Sequence, residues 1–390
     1  MKKNIFLRVL RRGVIEAANM LPIRSNKVLV SSYFGRGYGD NPKYIVEALL
    51  RMDASIRVFW IVNNADEAKS LPAAVKPVQK GSLAAIYHMA TAKVWLDNCR
   101  RIFAKKRKQQ FYIQTWHGFA LKRIEADVQD QLDQSYVQLA KKDAKAIDLI
   151  VSEADFMTNI YKSAFWYDGK VVRWGSPRND AMLDAGKMEQ FANTVRRYYA
   201  LGKDEKILLY APTFRVNHSL EPYKLDFAKV KEACQLRFGG EFKVLVRLHP
   251  NIADKSKELC SGTGVIDASF YPDMQELLAA ADVVISDYSS LMFDFALSMK
   301  PCFQFATDIA DYKKDRNFYF SLDNLPFSVG QNNDLLAQNI REFGENTYKN
   351  ALDAFFTDIG MERSGNASKK CAELICEICH GKRKKEEIIA

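Results

Sequence analysis

Ala281-Asp-Val-Val-Ile-Ser-Asp-Tyr-Ser-Ser-Leu-Met-Phe-Asp-Phe-Ala-Leu-Ser-Met-Lys-Pro301 decides how the chain is read. Val283–Ile285 is an apolar run short enough for a buried parallel strand. Ser286-Asp-Tyr-Ser-Ser290 carries turn and N-cap chemistry, and Leu291–Met299 reads as a helix closed by Pro301. A strand entering a hydroxyl-rich helix start is either an ordinary capped core helix or an anion site. In the second case free backbone N–H groups, the helix dipole and the hydroxyls of Ser289 and Ser290 converge on phosphate oxygens. Spacing alone leaves both readings open, so the rest of the chain must choose.

Working outward, strand-like runs recur at Lys206–Tyr210, Lys243–Leu248 and Gly264–Asp267, with helical stretches near 226–238 and 273–280 between them. The first half repeats the alternation. Lys27–Tyr33, Arg57–Asn63, Ala92–Asp97, Phe111–Thr115, Leu149–Val151 and Val171–Trp174 read as strands, with helices at Lys43–Arg51 and around 65–70 and 81–90. Alternating strands and helices predict parallel, doubly wound sheets. Two such series predict an α/β protein of two Rossmann-like domains facing across a cleft, with the active site in the cleft. The boundaries expected are 1–190, 200–360 and a C-terminal helix with a basic tail over 361–390.

The 390 residues allow two domains, and 48% hydrophobic content excludes a disordered chain. A net charge of +10 points to an anionic partner: nucleic acid, a membrane surface or a phosphorylated substrate. No apolar run reaches the roughly 18 residues a membrane span needs. The N-terminus shows no secretory pattern, and the seven scattered cysteines read as reduced thiols in the cytoplasm. Residues 2–20 set Ile5, Phe6, Val9, Leu10 and Val14 at helical spacing among basic residues. That segment is either a membrane-surface helix or an ordinary surface helix. Arg100–Lys108, six basic residues in nine, is either a solvated loop or a phosphate or lipid-headgroup contact.

Of five histidines, two end predicted strands. His117 follows one in Gln114-Thr-Trp-His-Gly118, and His249 ends another in Val246-Arg-Leu-His-Pro250. Both therefore fall at carboxyl ends of parallel strands, where open α/β sheets place their ligands. A near-neutral imidazole suits general-base work on a hydroxyl or support of a phosphate. Tyr210-Ala-Pro-Thr-Phe-Arg215 adds the Thr213 hydroxyl and the Arg215 fork, suited to a phosphate, although taken alone the motif favours an exposed loop arginine. Gly35-x-Gly37-x-Gly39 follows the first strand without dinucleotide-binding spacing. Cys376-Glu-Ile-Cys379-His380 matches a haem-attachment pattern, yet its neighbours keep helical spacing, so it reads as a terminal helix. No residue pattern completes a metal site.

Taken in order, Gly39-Asp-Asn-Pro-Lys43, Gln114-Thr-Trp-His-Gly118 with Lys122, Tyr210–Arg215, Arg247-Leu-His-Pro250, Asp282–Pro301 and Asp311–Tyr319 resemble the CDP-glycerol glycerophosphotransferase family, the teichoic acid primases and polymerases of bacteria. The resemblance covers nearly the whole chain. It implies a GT-B arrangement, peripheral association with the cytoplasmic membrane face, and transfer of glycerol phosphate from CDP-glycerol to a lipid-linked acceptor. His117 and His249 become the catalytic pair. Thr213, Arg215, Arg247, Ser289, Ser290 and Arg316 are expected to bind the donor. Gly37, Asp40, Asn41 and Lys122 are expected to face the acceptor. No cofactor or metal is expected, though Mg²⁺ carried by the donor would leave no mark in sequence. The chain's length favours a primase that adds one unit over a polymerase; ribitol donors and capsular acceptors stay open. Rival readings are a nucleotide-sugar glycosyltransferase of the same architecture and a non-catalytic basic protein. Nucleic acid is not an expected partner, because no nucleic-acid-binding signature accompanies the charge.

Overall fold

The computed structural model describes residues 12–101, 105–215, 220–261, 264–309 and 318–389. It divides into two compact units, and the chain passes between them more than once. The first comprises 1–117, 124–180 and 366–390; the second comprises 118–123 and 181–365.

The first unit is built on a seven-stranded sheet. Its strands are β1 (Arg24–Ser31), β2 (Arg57–Val62), β3 (Val75–Gln79), β4 (Ala92–Asp97), β5 (Phe111–Gln114), β6 (Leu149–Ser152) and β7 (Lys170–Arg173), in the order β3-β2-β1-β4-β5-β6-β7. Every pairing is parallel. Val28, Leu29, Val30, Val94, Leu96 and Ile113 are wholly buried, which is why these strands read as continuous apolar runs. The order reverses between β1 and β4, the switch point at which such sheets leave a crevice.

The second unit repeats the plan with β8 (Lys206–Tyr210), β9 (Phe242–Val246), β10 (Ile266–Asp267), β11 (Val283–Ser286), β12 (Cys302–Phe305) and β13 (Ser328–Gly330), ordered β10-β9-β8-β11-β12-β13. All its pairings are again parallel. Its switch point falls between β8 and β11, beside the opening stretch of sequence.

The structure departs from the sequence reading in several places. Strands β3, β12 and β13 carry weak signals: β3 contains Pro77 and lies at a sheet edge, where a missing N–H is tolerated. In β12 the fully buried Gln304 interrupts the apolar pattern, and β13 has only three residues. The helix predicted over 291–299 ends at Ala296, after which 3-10-type bonds carry the chain to Met299 at φ 59°.

The segment 361–390, expected to stand by itself, is divided: 366–390 belong to the first unit and 361–365 to the second. The helix Ala367–Cys379 packs Cys371, Leu374, Ile375 and Ile378 into the core that holds Ile45, Val46 and Leu49 of the helix Asp40–Met52. The Cys-x-x-Cys-His pattern thus lies on a core helix, and His380 Nε2 sits 2.6 Å from Asp53 Oδ2.

The basic run from Arg100 also differs from a solvated loop. Arg100 pairs with Glu125 at 2.9 Å and faces Asp143 at 3.6 Å, and Arg101 pairs with Asp97 at 3.0 Å, all with buried side chains. Lys106 pairs with Asp148. Of the N-terminal segment, 2–11 lie outside the described residues and 12–18 are helical. Among the described residues no helix is long and apolar enough to cross a membrane.

Candidate functional site

In the first unit the loops after β1, β4, β5 and β7 meet around His117. Backbone strain concentrates there: Tyr33, Phe34 and Asp40 have φ of 44°, 60° and 58°, and Trp116 has 51°. Left-handed conformations at bulky residues persist only where surrounding contacts impose them, and they gather at working sites. Gly37, at φ 73°, lets the turn pass so that its carbonyl accepts from Trp60 Nε1 at 3.1 Å.

Asn98, fully buried at the end of β4, ties these loops together. Its Oδ1 accepts from the Tyr33 N–H at 2.8 Å, and its carbonyl oxygen lies 2.7 Å from His117 Nδ1. A carbonyl can only accept, so Nδ1 carries the ring proton and Nε2 of the neutral imidazole keeps a lone pair. Burial lowers the His117 pKa; the Asn98 bond and the charge of Asp40 oppose this without reversing it. The imidazole is therefore neutral at pH 7 and competent to take a proton. The Trp116 ring lies 4.2 Å from it and the Tyr33 ring 5.6 Å. The Cys99 thiol, 3.8 Å from Nδ1, is pushed well up by burial and stays protonated.

Asp40 pairs with Arg178 at 2.6 Å and accepts from the Tyr33 hydroxyl at 2.7 Å. Burial raises its pKa, but Arg178, Asn98 and Tyr33 outweigh burial and the carboxyl ends below its ordinary range. Asn41 is only 1% exposed and internally engaged. Its Nδ2 donates to the carbonyl of Trp116 at 3.1 Å, and its Oδ1 accepts from Ser176 at 2.9 Å and the Arg178 N–H at 3.0 Å. Its side chain holds the loops in place instead of facing outward. Arg178 and Asn98 escaped the sequence reading; the signal available was their position just past predicted strands.

Lys122 belongs to the second unit, where its backbone bridges to Phe318. In that unit Asp287, 1% exposed at the exit of β11, is a hub. It accepts from the Thr213 N–H at 2.8 Å, from the Thr213 hydroxyl and from Arg215 at 2.8 Å. Arg215 also grips Asp308 through Nε at 2.7 Å and Nη2 at 3.1 Å, and stands over the rings of Tyr288 and Tyr223. Burial works against its charge, but Asp308 and Asp287 more than compensate and hold the pKa up. The fork expected on a phosphate is thus engaged by two carboxylates.

Ser289 and Ser290 are half-buried at the start of the six-residue helix Leu291–Ala296; Ser289 Oγ accepts from the Leu291 N–H at 3.4 Å, and Ser290 makes no capping bond. Arg247, half-buried, donates through Nη1 to the Tyr271 carbonyl. His249 is exposed and caps the following 3-10 turn, its Nδ1 accepting from the Asn251 N–H at 3.2 Å. An accepting Nδ1 leaves the proton on Nε2, the opposite setting to His117. Arg316 lies outside the described residues.

Two doubly wound parallel-sheet units, each with a histidine just past a strand end, place the protein in the GT-B-like α/β class. The chain belongs to the CDP-Glycerol:Poly(glycerophosphate) glycerophosphotransferase family, whose model matches residues 14–377. It is 29% identical over 366 residues to the teichoic acid poly(glycerol phosphate) polymerase of Staphylococcus epidermidis, a match covering 90% of this chain and 51% of the relative. It is 27% identical to the teichoic acid glycerol-phosphate transferase of Staphylococcus aureus, covering 96% of this chain and all of the relative. The chain thus spans about half the length of the first of these. The structure of the wall teichoic acid polymerase TagF matches with a TM-score of 0.83 at 27% identity, over 97% of this chain and 96% of that one.

Proposed function

We propose that the protein transfers glycerol phosphate from CDP-glycerol to a hydroxyl of a lipid-linked saccharide, releasing CMP, as a peripheral enzyme at the cytoplasmic face of a bacterial membrane. The opposed settings of the two histidines carry this reading. His117 Nε2, bearing a lone pair, takes the proton of the acceptor hydroxyl as its oxygen bonds to the glycerol-linked phosphorus. The bond from that phosphorus to the bridging oxygen breaks, and CMP departs with the electron pair. His249, with its proton on Nε2, donates to a phosphate oxygen as negative charge shifts. Ser289, Ser290 and Arg247 supply further donors and positive charge to the pyrophosphate.

Thr213 and Arg215 act through Asp287 in this account, setting the loop that carries Ser289 and Ser290. Family membership supports the donor class, and a histidine variant of TagF has been soaked with CDPG. Transfer of a single unit is our reading for this chain. A relative from Bacillus spizizenii described as a teichoic acid ribitol-phosphate primase, 25% identical over 92% of its own length, makes CDP-ribitol the second donor to test.

The test is CMP release from CDP-glycerol and CDP-ribitol with a synthetic prenyl-diphosphate disaccharide, with product mass read in parallel. One added glycerol phosphate is the expected product. A ladder would make the enzyme a polymerase, a ribitol product would change the donor, and silence with both would overturn the proposal.

A further inference from the structure

The switch point of the first sheet opens into a cavity of about 260 Å³, next to the loops that hold His117. Roughly 150 Å³ of apolar space is enough for benzene, so this cavity takes more than one ring. Phe34, Ile61, Ala85, Ile86 and Met89 give it an apolar lining. Most polar groups in its wall are partnered; Arg100 Nε and Nη1 lack hydrogen bonds but are themselves buried, with Nη1 facing Asp143 at 3.6 Å. Asp97 pairs with Arg101 at 3.0 Å, Arg100 with Glu125 at 2.9 Å, and the Ser82 hydroxyl accepts from the Ala85 N–H while donating to the Gln79 carbonyl.

Walls of this kind offer a ligand contact area but few unmet hydrogen bonds, so they select hydrocarbon over a sugar or a nucleotide. The surroundings are different. Exposed Lys80 lies at the rim, its Nζ donating to the Phe34 carbonyl at 2.8 Å with two further protons to offer. On the outer face of the helix Leu83–Thr91, Leu83 is 72% exposed and Tyr87 41%, so apolar surface continues beyond the cavity.

We propose that this cavity holds the first part of the apolar chain of a phosphate-bearing amphiphile, with Lys80 meeting its anionic head. The assignment rests on the proposed lipid-linked acceptor and locates its chain on the first unit. Asp97, in the cavity wall, is followed directly by Asn98, whose carbonyl orients His117; a chain seated here brings its head group to the same strand ends as the base.

The probe is farnesyl phosphate, titrated calorimetrically into the full chain, with farnesol and inorganic phosphate as separate arms. Saturable binding of farnesyl phosphate is expected, with farnesol at least tenfold weaker and inorganic phosphate weaker still. Ala85→Phe, which fills the cavity, and Met89→Glu, which puts a carboxylate at its edge, should each weaken farnesyl phosphate at least tenfold. Lys80→Glu should weaken farnesyl phosphate and leave farnesol unchanged. Unchanged thermal unfolding identifies the variants that remain folded, and Met89, being half-buried, tolerates the change where Ala85 does not. Equal binding by wild type and folded variants would overturn the site. Inorganic phosphate binding as tightly as farnesyl phosphate would reduce it to an anion site, and equal affinity for farnesol would remove the head-group assignment. Binding is read without turnover, so the cavity can stand if CMP release fails, and fall if CMP release succeeds.

Discussion

The Nδ1 atom of His117 lies 2.7 Å from the carbonyl oxygen of Asn98. One backbone oxygen thereby decides which imidazole nitrogen is basic, and it does so from the end of the strand adjacent to the histidine's own. In the second unit an amide N–H performs the reverse service for His249. The two imidazoles are chemically identical as sequence and opposite as structure.

His117→Gln keeps a polar side chain but has no nitrogen lone pair to accept a proton. CMP release should fall by about 10²–10⁴, the usual contribution of a general base, while CDP-glycerol binding holds. Steady-state turnover and calorimetric donor binding on the same preparation would check both halves. Turnover within about threefold of wild type would remove His117 from the chemistry.

The pH profile of kcat/KM should have an acid limb below the ordinary histidine pKa of about 6.5, because burial depresses His117. Asp40 opposes that depression, whereas Arg178 adds to it. Asp40→Asn should accordingly move the limb to still lower pH. A limb that stays in place or moves upward would show that Asp40 does not act on the base electrostatically.

Arg215→Met should destabilise the protein by about 3–5 kcal/mol, since it leaves Asp287 buried without its counter-charge. Arg215→Lys keeps the charge but loses the fork that grips Asp308, and its loss should be intermediate. Urea unfolding distinguishes these outcomes. A loss below about 1 kcal/mol for the Met variant would mean that the guanidinium is not a strut.

Burial, with help from Lys27 and Arg57, depresses the His88 pKa to about 4. Between about pH 6.5 and 4 the unfolded chain binds a proton that the folded chain refuses, so stability falls as pH drops through that window. The part due to His88 is no more than about 2 kcal/mol after solvent screening. His88→Phe, beside Phe59 at a 4.0 Å ring separation, should remove that part of the acid sensitivity. The difference between wild type and variant in urea midpoint at pH 7 and pH 4.5 measures it, and equal slopes would count against it.

Local chemistry alone was enough to locate ten of the thirteen strands among the described residues, because a parallel strand buried on both faces must be apolar throughout and must be punctuated by loops. For the same reason His117, His249 and the Ser289–Ser290 pair stood out, each just beyond such a run. The strands that escaped, β3, β12 and β13, are the ones whose burial depends on neighbours: Pro77 at an edge, Gln304 in the sheet and three residues ending at Gly330. Charge behaved likewise. Arg100 and Arg215 are bare cations in a sequence, and only tertiary structure brings Glu125, Asp287 and Asp308 to them. A side chain's type and its distance along the chain from a strand end are local quantities, which sequence determines by itself. Its protonation and its partners are set by atoms distant in sequence, so the basicity of His117, the engagement of the Arg215 fork and the role of Asn98 were decided by the tertiary structure.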